Sequence, residues 1–147
     1  MTVLHDAVED PAGRTVADVL AAHAQQLAAA IASVGVAEAA EAAGCPVERI
    51  DAIADGDVDA VGDLDLEAAA RLLALPADAS AAEAIAAEAR EALLFGMTAG
   101  VLSVDVVAVE APIDVEPREV QAMLEGRRPM SLREYVALQR VIEGASP

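Results

Sequence analysis

The chain has 147 residues, 56% of them hydrophobic but only 1% aromatic, with 26 Asp and Glu against nine basic residues for a formal charge of -17. The nine cations are all Arg, at 14, 49, 71, 90, 118, 127, 128, 133 and 140, with no Lys. Packing must therefore rest on Ala, Val, Leu and Ile, which suits closely approaching helices, and the single Cys45 excludes an intramolecular disulfide.

Short carboxylates spread over a surface hold water and hydrated cations, whereas a Lys stem exposes flexible apolar surface. This profile reads as adaptation to a salt-filled cytoplasm. A GC-rich genome would account for the Ala and Arg, but less readily for the missing Lys. The opening MTVLHDAVEDPAGR has no basic region followed by an apolar run, so no export signal is expected. The uncharged run 19–37 carries His23, Gln25, Gln26 and Ser33, and its Ala residues drive insertion weakly. It reads as a buried helix rather than a membrane span.

Residues 1–14, broken by Pro11 and Gly13, are expected to form a loose arm. Thr15 with Asp18 three residues on opens a long helix to about Val34, along which Val16, Val19 or Leu20, His23, Leu27 and Ile31 recur at helical spacing. After Gly35 come a short helix at 36–43 closed by Gly44 and another at 46–54 closed by Gly56. An acidic loop follows, and Asp65 caps a helix at 66–75 that stops before Pro76.

Residues 76–79 form a connector, dividing a unit at 15–79 from one at 80–147. Ser80 with Glu83 makes a capping box for a helix with Ile85, Ala89, Ala92 or Leu93 and Phe95 on one apolar side. The uncharged stretch 93–104, interrupted by Gly96 and Gly100, is the end of that helix and the start of a core helix. A short helix at 106–113 and a turn at Asp114 lead to a helix at 117–124, with Pro117 in its first turn and Gly126 at its end. Arg127, Arg128 and Pro129 make a turn, and Ser131 with Glu134 opens a last helix carrying Leu132, Val136 or Tyr135, Leu138 and Val141 or Ile142.

A shift of seventy lays 27–56 on 97–126, pairing Ser33 with Ser103, Ala52 with Ala122, Gly56 with Gly126, Ile31 with Val101, Val36 with Val106, Ile50 with Val120 and Ile53 with Met123. Dropping four residues from the first loop then pairs Leu66 with Leu132 and Leu72 with Leu138. Gly44 aligns with Asp114, both of types that tolerate the left-handed backbone of a tight turn. The reading is an all-α protein of two tandem, pseudo-repeated helical units packed together.

Each copy, on the helix, Gly turn, helix and loop at 36–56 and again at 106–129, resembles a phage-repressor-type helix-turn-helix domain. The acid next to each loop Gly, Asp55 and Glu125, is one residue away from that family's usual Glu position, and the first loop is acidic where the family's is often basic. The whole chain, on GVAEAAEAAG, LDLEAAARLLAL, LLFGMTAGVLSVD and LEGRRPMSLREYVALQR, is similar to an uncharacterised haloarchaeal family, a domain of unknown function; that resemblance implies a halophilic cytoplasm and no activity.

The helix-turn-helix resemblance implies that the second helix of a copy meets double-stranded DNA. In the first copy the corresponding start is Pro46, Val47, Glu48, Asp51 and Ala52, which sets acids toward phosphates. In the second it is Glu116, Pro117, Arg118, Gln121 and Ala122, where Arg118 and Gln121 are of types that read guanine and adenine edges, and Arg127, Arg128 and Arg133 would meet phosphates. Residues 118–140 hold five Arg against three Glu, the one positive window. The same Arg residues also read as neutralising neighbouring acids.

Two functions therefore follow, the first favoured by the helix-turn-helix resemblance and the second its alternative. One is a DNA-associated transcriptional regulator acting through the second copy. The other is a non-catalytic interaction or scaffold module that holds a protein partner or a second copy of itself. No catalytic residue, cofactor or metal is expected: His5 lies on the arm, His23 on an Ala-rich helix, and Cys45 at a turn with no His beside it in sequence. The run Asp55, Asp57, Asp59, Asp63, Asp65 suggests a calcium loop but lacks Gly at its sixth position and Glu at its twelfth, so it reads as a solvated acidic loop.

Overall fold

Thr15 starts the first long helix as its side chain dictates: the hydroxyl oxygen accepts from the Asp18 amide at 3.1 Å, and α1 (Val16–Val34) runs to Gly35. In the computed structural model, which describes residues 4–145, α2 (Val36–Ala43), α3 (Val47–Ala54), α4 (Val58–Gly62) and α5 (Leu66–Ala74) follow. The second half holds α6 (Ala82–Ala99), α7 (Val104–Glu110), α8 (Pro117–Leu124) and α9 (Leu132–Gly144), and no strand occurs among the described residues. The fold is all-α. At α9 the Ser131 and Glu134 side chains each accept from the other's amide, at 3.1 and 2.9 Å.

The two halves are pseudo-repeated units, and the buried positions give the correspondence. Val19, Leu20, Leu27 and Ile31 of α1 answer to Ile85, Ala86, Leu93 and Met97 of α6, displaced by 66. Ala39, Ala40 and Ala43 answer to Val107, Ala108 and Ala111, displaced by 68. Ile50 and Ile53 of α3 answer to Val120 and Met123 of α8, displaced by 70, and Leu66 and Leu72 of α5 to Leu132 and Leu138 of α9, displaced by 66. The expected shift of seventy therefore holds for α3 and α8 but slips upstream. Ile31 is 2% exposed while Val101, its partner by sequence, is 91% exposed. The turn after α6 and the loop 111–116 absorb the difference, and α4 is the extra piece of the first unit.

Gly56 and Gly126 close the equivalent helices in the same way. Both take positive φ, 86° and 77°, and the next amide returns to the fifth carbonyl back, Asp57 to Ala52 at 3.0 Å and Arg127 to Ala122 at 2.8 Å.

Several local expectations are corrected. The helix placed at 106–113 is α7, two residues earlier, and ends at Glu110 because Pro112 pushes Ala111 out of helical geometry, to φ -70° and ψ 134°. Asp114 accordingly lies in an open loop and does not adopt the left-handed conformation. The acidic loop contains α4, capped by the Asp57 carboxylate accepting from the amides of Asp59 and Ala60. Asp65 stands at the N-cap of α5 without a side-chain cap bond. Ser80 does not open α6: Asp78 accepts from the Ser80 amide, a short 3-10 turn (Ala79–Ala81) intervenes, and α6 starts at Ala82. Gly96 does not break α6, because its missing side chain lets α9 approach; a Cβ there would lie 2.5 Å from Ile142 Cγ2.

The segment expected as a loose arm is docked from residue 4 onward, residues 1–3 lying outside the described residues. Leu4 is in the core, and the His5 ring sits between the Tyr135 hydroxyl at 2.6 Å and the Glu143 carboxylate at 3.0 Å. Gln139 donates to the His5 carbonyl at 2.9 Å, and Arg140 donates to that of Arg14 at 2.5 Å. A hydrophobic anchor and these polar contacts on α9 outweigh the punctuation of Pro11 and Gly13. One hydrophobic core runs through both units, from Leu4 and α1 to α9.

Candidate interaction surface and the arginine window

The residues expected to face DNA are all accounted for, and each is held by an acid. Arg118, in the first turn of α8, pairs with Glu116 at 3.2 Å and is 87% exposed. Gln121 donates to Glu125 at 2.9 Å, and the same carboxylate takes Arg127. These two bonds, the one from Gln121 first, hold the Glu125 carboxyl below its usual range. Arg128 pairs with Glu119 at 3.3 Å. Arg133 leaves this group altogether: from the start of α9 it reaches the first unit, meeting Asp63 at 2.5 Å and Asp59 at 3.7 Å. Of the five Arg in the window that is positive in sequence, Arg118, Arg127 and Arg128 form local ion pairs around α8, Arg133 joins the units, and Arg140 donates to the Arg14 carbonyl.

A different surface emerges at the end of α6. The buried stripe of that helix is Ile85, Ala86, Ala89, Leu93 and Met97. Phe95, expected on that side, falls on the opposite face at 77% exposure, because two residues past Leu93 lie well round the helix. Leu94 is 39% exposed and Val101 91%. With Met97, Thr98, Leu102 and Ser103, Leu94 and Val101 line an open groove. On α7, Val107 and Ala108 face inward while Val106 and Val109 are left outside, at 41% and 83%. The uncharged stretch 93–104 contains the signal for this surface, but read as a core helix it hides it.

Val101 also takes φ 54°, a left-handed backbone that β-branched residues avoid. The turn demands it. The Leu102 amide returns to the Met97 carbonyl at 2.8 Å and that of Val101 to Thr98 at 3.2 Å, closing α6 where other helices here end on glycine.

The remaining chemistry-bearing residues do not form a reactive cluster. His23 is 1% exposed on α1, and burial pushes its pKa down, an effect the Gln26 side chain partly offsets. Tyr135 is fully buried, donates to the Ala89 carbonyl at 3.3 Å, and its hydroxyl is pushed well above the usual tyrosine range by desolvation, with smaller contributions from Asp6 and Glu143. Cys45 is half-buried at the α2–α3 turn, its Sγ 3.8 Å from the Ala43 carbonyl. Asp57 caps α4, and Asp59 and Asp63 face Arg133; no group of three metal-ligating side chains occurs among the described residues. No single helix among them is long and apolar enough to cross a membrane.

Residues 19–145 match the model of a family of unknown function, DUF5791. No curated protein and no solved structure matches the chain.

Proposed function

The chain belongs to the DUF5791 family, whose function is unknown, and from its own surface we propose that it is a non-catalytic interaction module that holds a protein partner. The observation that carries this is the apolar surface of Leu94, Phe95 and Val101, left uncovered on a chain of charge -17. An exposed Phe in a molecule with one Phe and one Tyr is an unfavourable use of a scarce side chain unless something covers it. We place this module in a salt-rich, haloarchaeal cytoplasm on the absence of Lys and the excess of carboxylates.

A second reading is a DNA-associated regulator in which α7 and α8 act as a phage-repressor-type helix-turn-helix. It draws on the 87% exposure of Arg118 at the start of α8. Against it stand the acids beside Arg118, Gln121, Arg127, Arg128 and Arg133, whose negative charge a phosphate would meet together with each cation.

Photo-reactive amino acids placed singly at positions 95 and 118 in cells separate the two. Protein adducts at 95 without nucleic-acid adducts at 118 are expected. Nucleic-acid adducts at 118 with none of protein at 95 would replace the module by the regulator.

A further inference from the structure

We infer that the groove at the end of α6 receives a cationic amphipathic segment of another protein, an inference that rests on the interaction-module reading and gives its partner a chemistry. Three features of the surface carry it: what the groove is made of, what surrounds it, and the strain at its edge.

The groove is apolar, lined by Leu94, Met97, Val101 and Leu102 with Phe95 beside it. Apolar side chains set at helical spacing, three and four residues apart, fill such a groove from one face of a partner helix.

The charge beside these residues is of one sign. Between 91 and 117 the chain has five acids, Glu91, Asp105, Glu110, Asp114 and Glu116, and no Arg. Glu91 precedes Phe95 by one turn of α6, and Asp105 and Glu110 flank Val106 and Val109 on α7. Glu91, Asp105, Glu110 and Asp114 are exposed and make no ion pair among the described residues, whereas the acids around α8 are matched by Arg118, Arg127 and Arg128. A second copy of this chain would bring the same uncompensated acids into contact, within the ~3 Å over which charges still act at molar salt. Nucleic acid and an anionic membrane surface are repelled for the same reason. A segment with Lys or Arg beside its apolar face gains attraction from Glu91, one turn from Phe95, and from Asp105, two residues beyond the groove residue Ser103.

Val101 supplies an independent pointer. It is 91% exposed and held at φ 54°, so the fold bears strain at the very residue that presents an apolar side chain to solvent. Glycine would close this turn without strain. Strain kept at a position that makes no use of its side chain within the fold marks a site of contact.

The test uses a synthetic helical peptide with Leu along one face and Lys on the other, beside its isomer with Glu in place of Lys, titrated by fluorescence anisotropy at a salt concentration that keeps the full chain folded. The cationic peptide is expected to bind, and Phe95→Ser and Val101→Gly, which leave every charge in place, should each weaken it about tenfold. Glu91→Gln with Asp105→Asn should weaken it and flatten its salt dependence. Val101→Gly removes strain, so a loss of binding there is not a loss of fold. Equal binding of both peptides, lost in Phe95→Ser, would overturn the cationic partner and leave the module standing. Binding of the cationic peptide that both apolar variants keep would overturn the groove. No binding of either peptide, with a dimer of the wild type in sedimentation that Phe95→Ser dissolves, would assign the surface to a second copy. No binding and a monomer would remove both the partner and the module.

Discussion

Asp65 and Ser131, the N-cap residues of α5 and α9, lie opposite each other in an antiparallel bridge: the Leu66 amide donates to the Met130 carbonyl and the Leu132 amide to the Leu64 carbonyl, both at 2.8 Å. These are corresponding positions of the two units, so the repeats meet by a reciprocal backbone contact at the starts of their equivalent helices. The bridge satisfies the amide of the first residue of each helix; beyond it Ser131 also caps α9, whereas Asp65 makes no such bond at α5. Leu66→Ala and Leu132→Ala should each cost about 2 to 5 kcal/mol, and each variant should unfold in one transition by both circular dichroism and tyrosine fluorescence, because a single core passes through both units. Two separated transitions would show that the units are stable on their own.

Val101→Gly should raise stability by about 1 kcal/mol, because it relieves a left-handed β-branched residue whose side chain buries nothing. Val101→Ala keeps a Cβ in the same conformation and should recover less. Thermal melts of the three proteins side by side would check the order, and a fall in melting temperature for Val101→Gly would contradict it.

His23 should make the fold acid-sensitive. Burial lowers its pKa in the folded state, so below the ordinary value of about 6.5 the unfolded chain binds more protons than the folded one. Its stabilising contribution is thus complete above that pH and is lost as pH falls from there toward the lowered folded value. His23→Met keeps the volume without the titration and should flatten the dependence of the urea midpoint on pH between about 7 and 5. Parallel curves for the two proteins would mean that other groups govern acid stability.

Arg133 and Arg118 should differ although the sequence groups them. Arg133→Ala breaks the contacts that join α9 to Asp63 and Asp59 of the first unit, and, half-exposed as it is, should cost about 1 kcal/mol. Arg118→Ala, at 87% exposure, should lie within about 0.5 kcal/mol of wild type. Denaturant titrations of both would test this, and equal losses would mean that the contact between units contributes no more than the exposed pair at Arg118.

Low salt should loosen the fold, since a charge of -17 on a core of small side chains is then unscreened. A potassium chloride series followed by circular dichroism should show the melting temperature rising with salt. An unchanged melting temperature down to low salt would remove the argument for a saline habitat.

Helix starts and ends were legible in the sequence because they depend on local chemistry. Thr15 with Asp18 and Ser131 with Glu134 set helix starts, Gly44, Gly56 and Gly126 set helix ends, and α2 and α8 have the bounds their glycines and Pro117 imply, because caps and left-handed turns act within a few residues. The aliphatic spacing also disclosed the repeat, although the turn after α6 and the loop after α7 hid its true displacement. Which apolar residues are core and which are surface depends on how the helices pack against one another. In a stretch as uniformly apolar as 93–104, pattern alone cannot separate Leu93 at 0% exposure from Phe95 at 77%. That packing also decided the fate of the cations: Arg133 finds its acids seventy residues back along the chain, a pairing set by the meeting of α4 with α9 and carried by no local signal. Residues 4–14 dock for the same reason, since the partners of His5, namely Tyr135, Gln139 and Glu143, are presented only once α9 is in place.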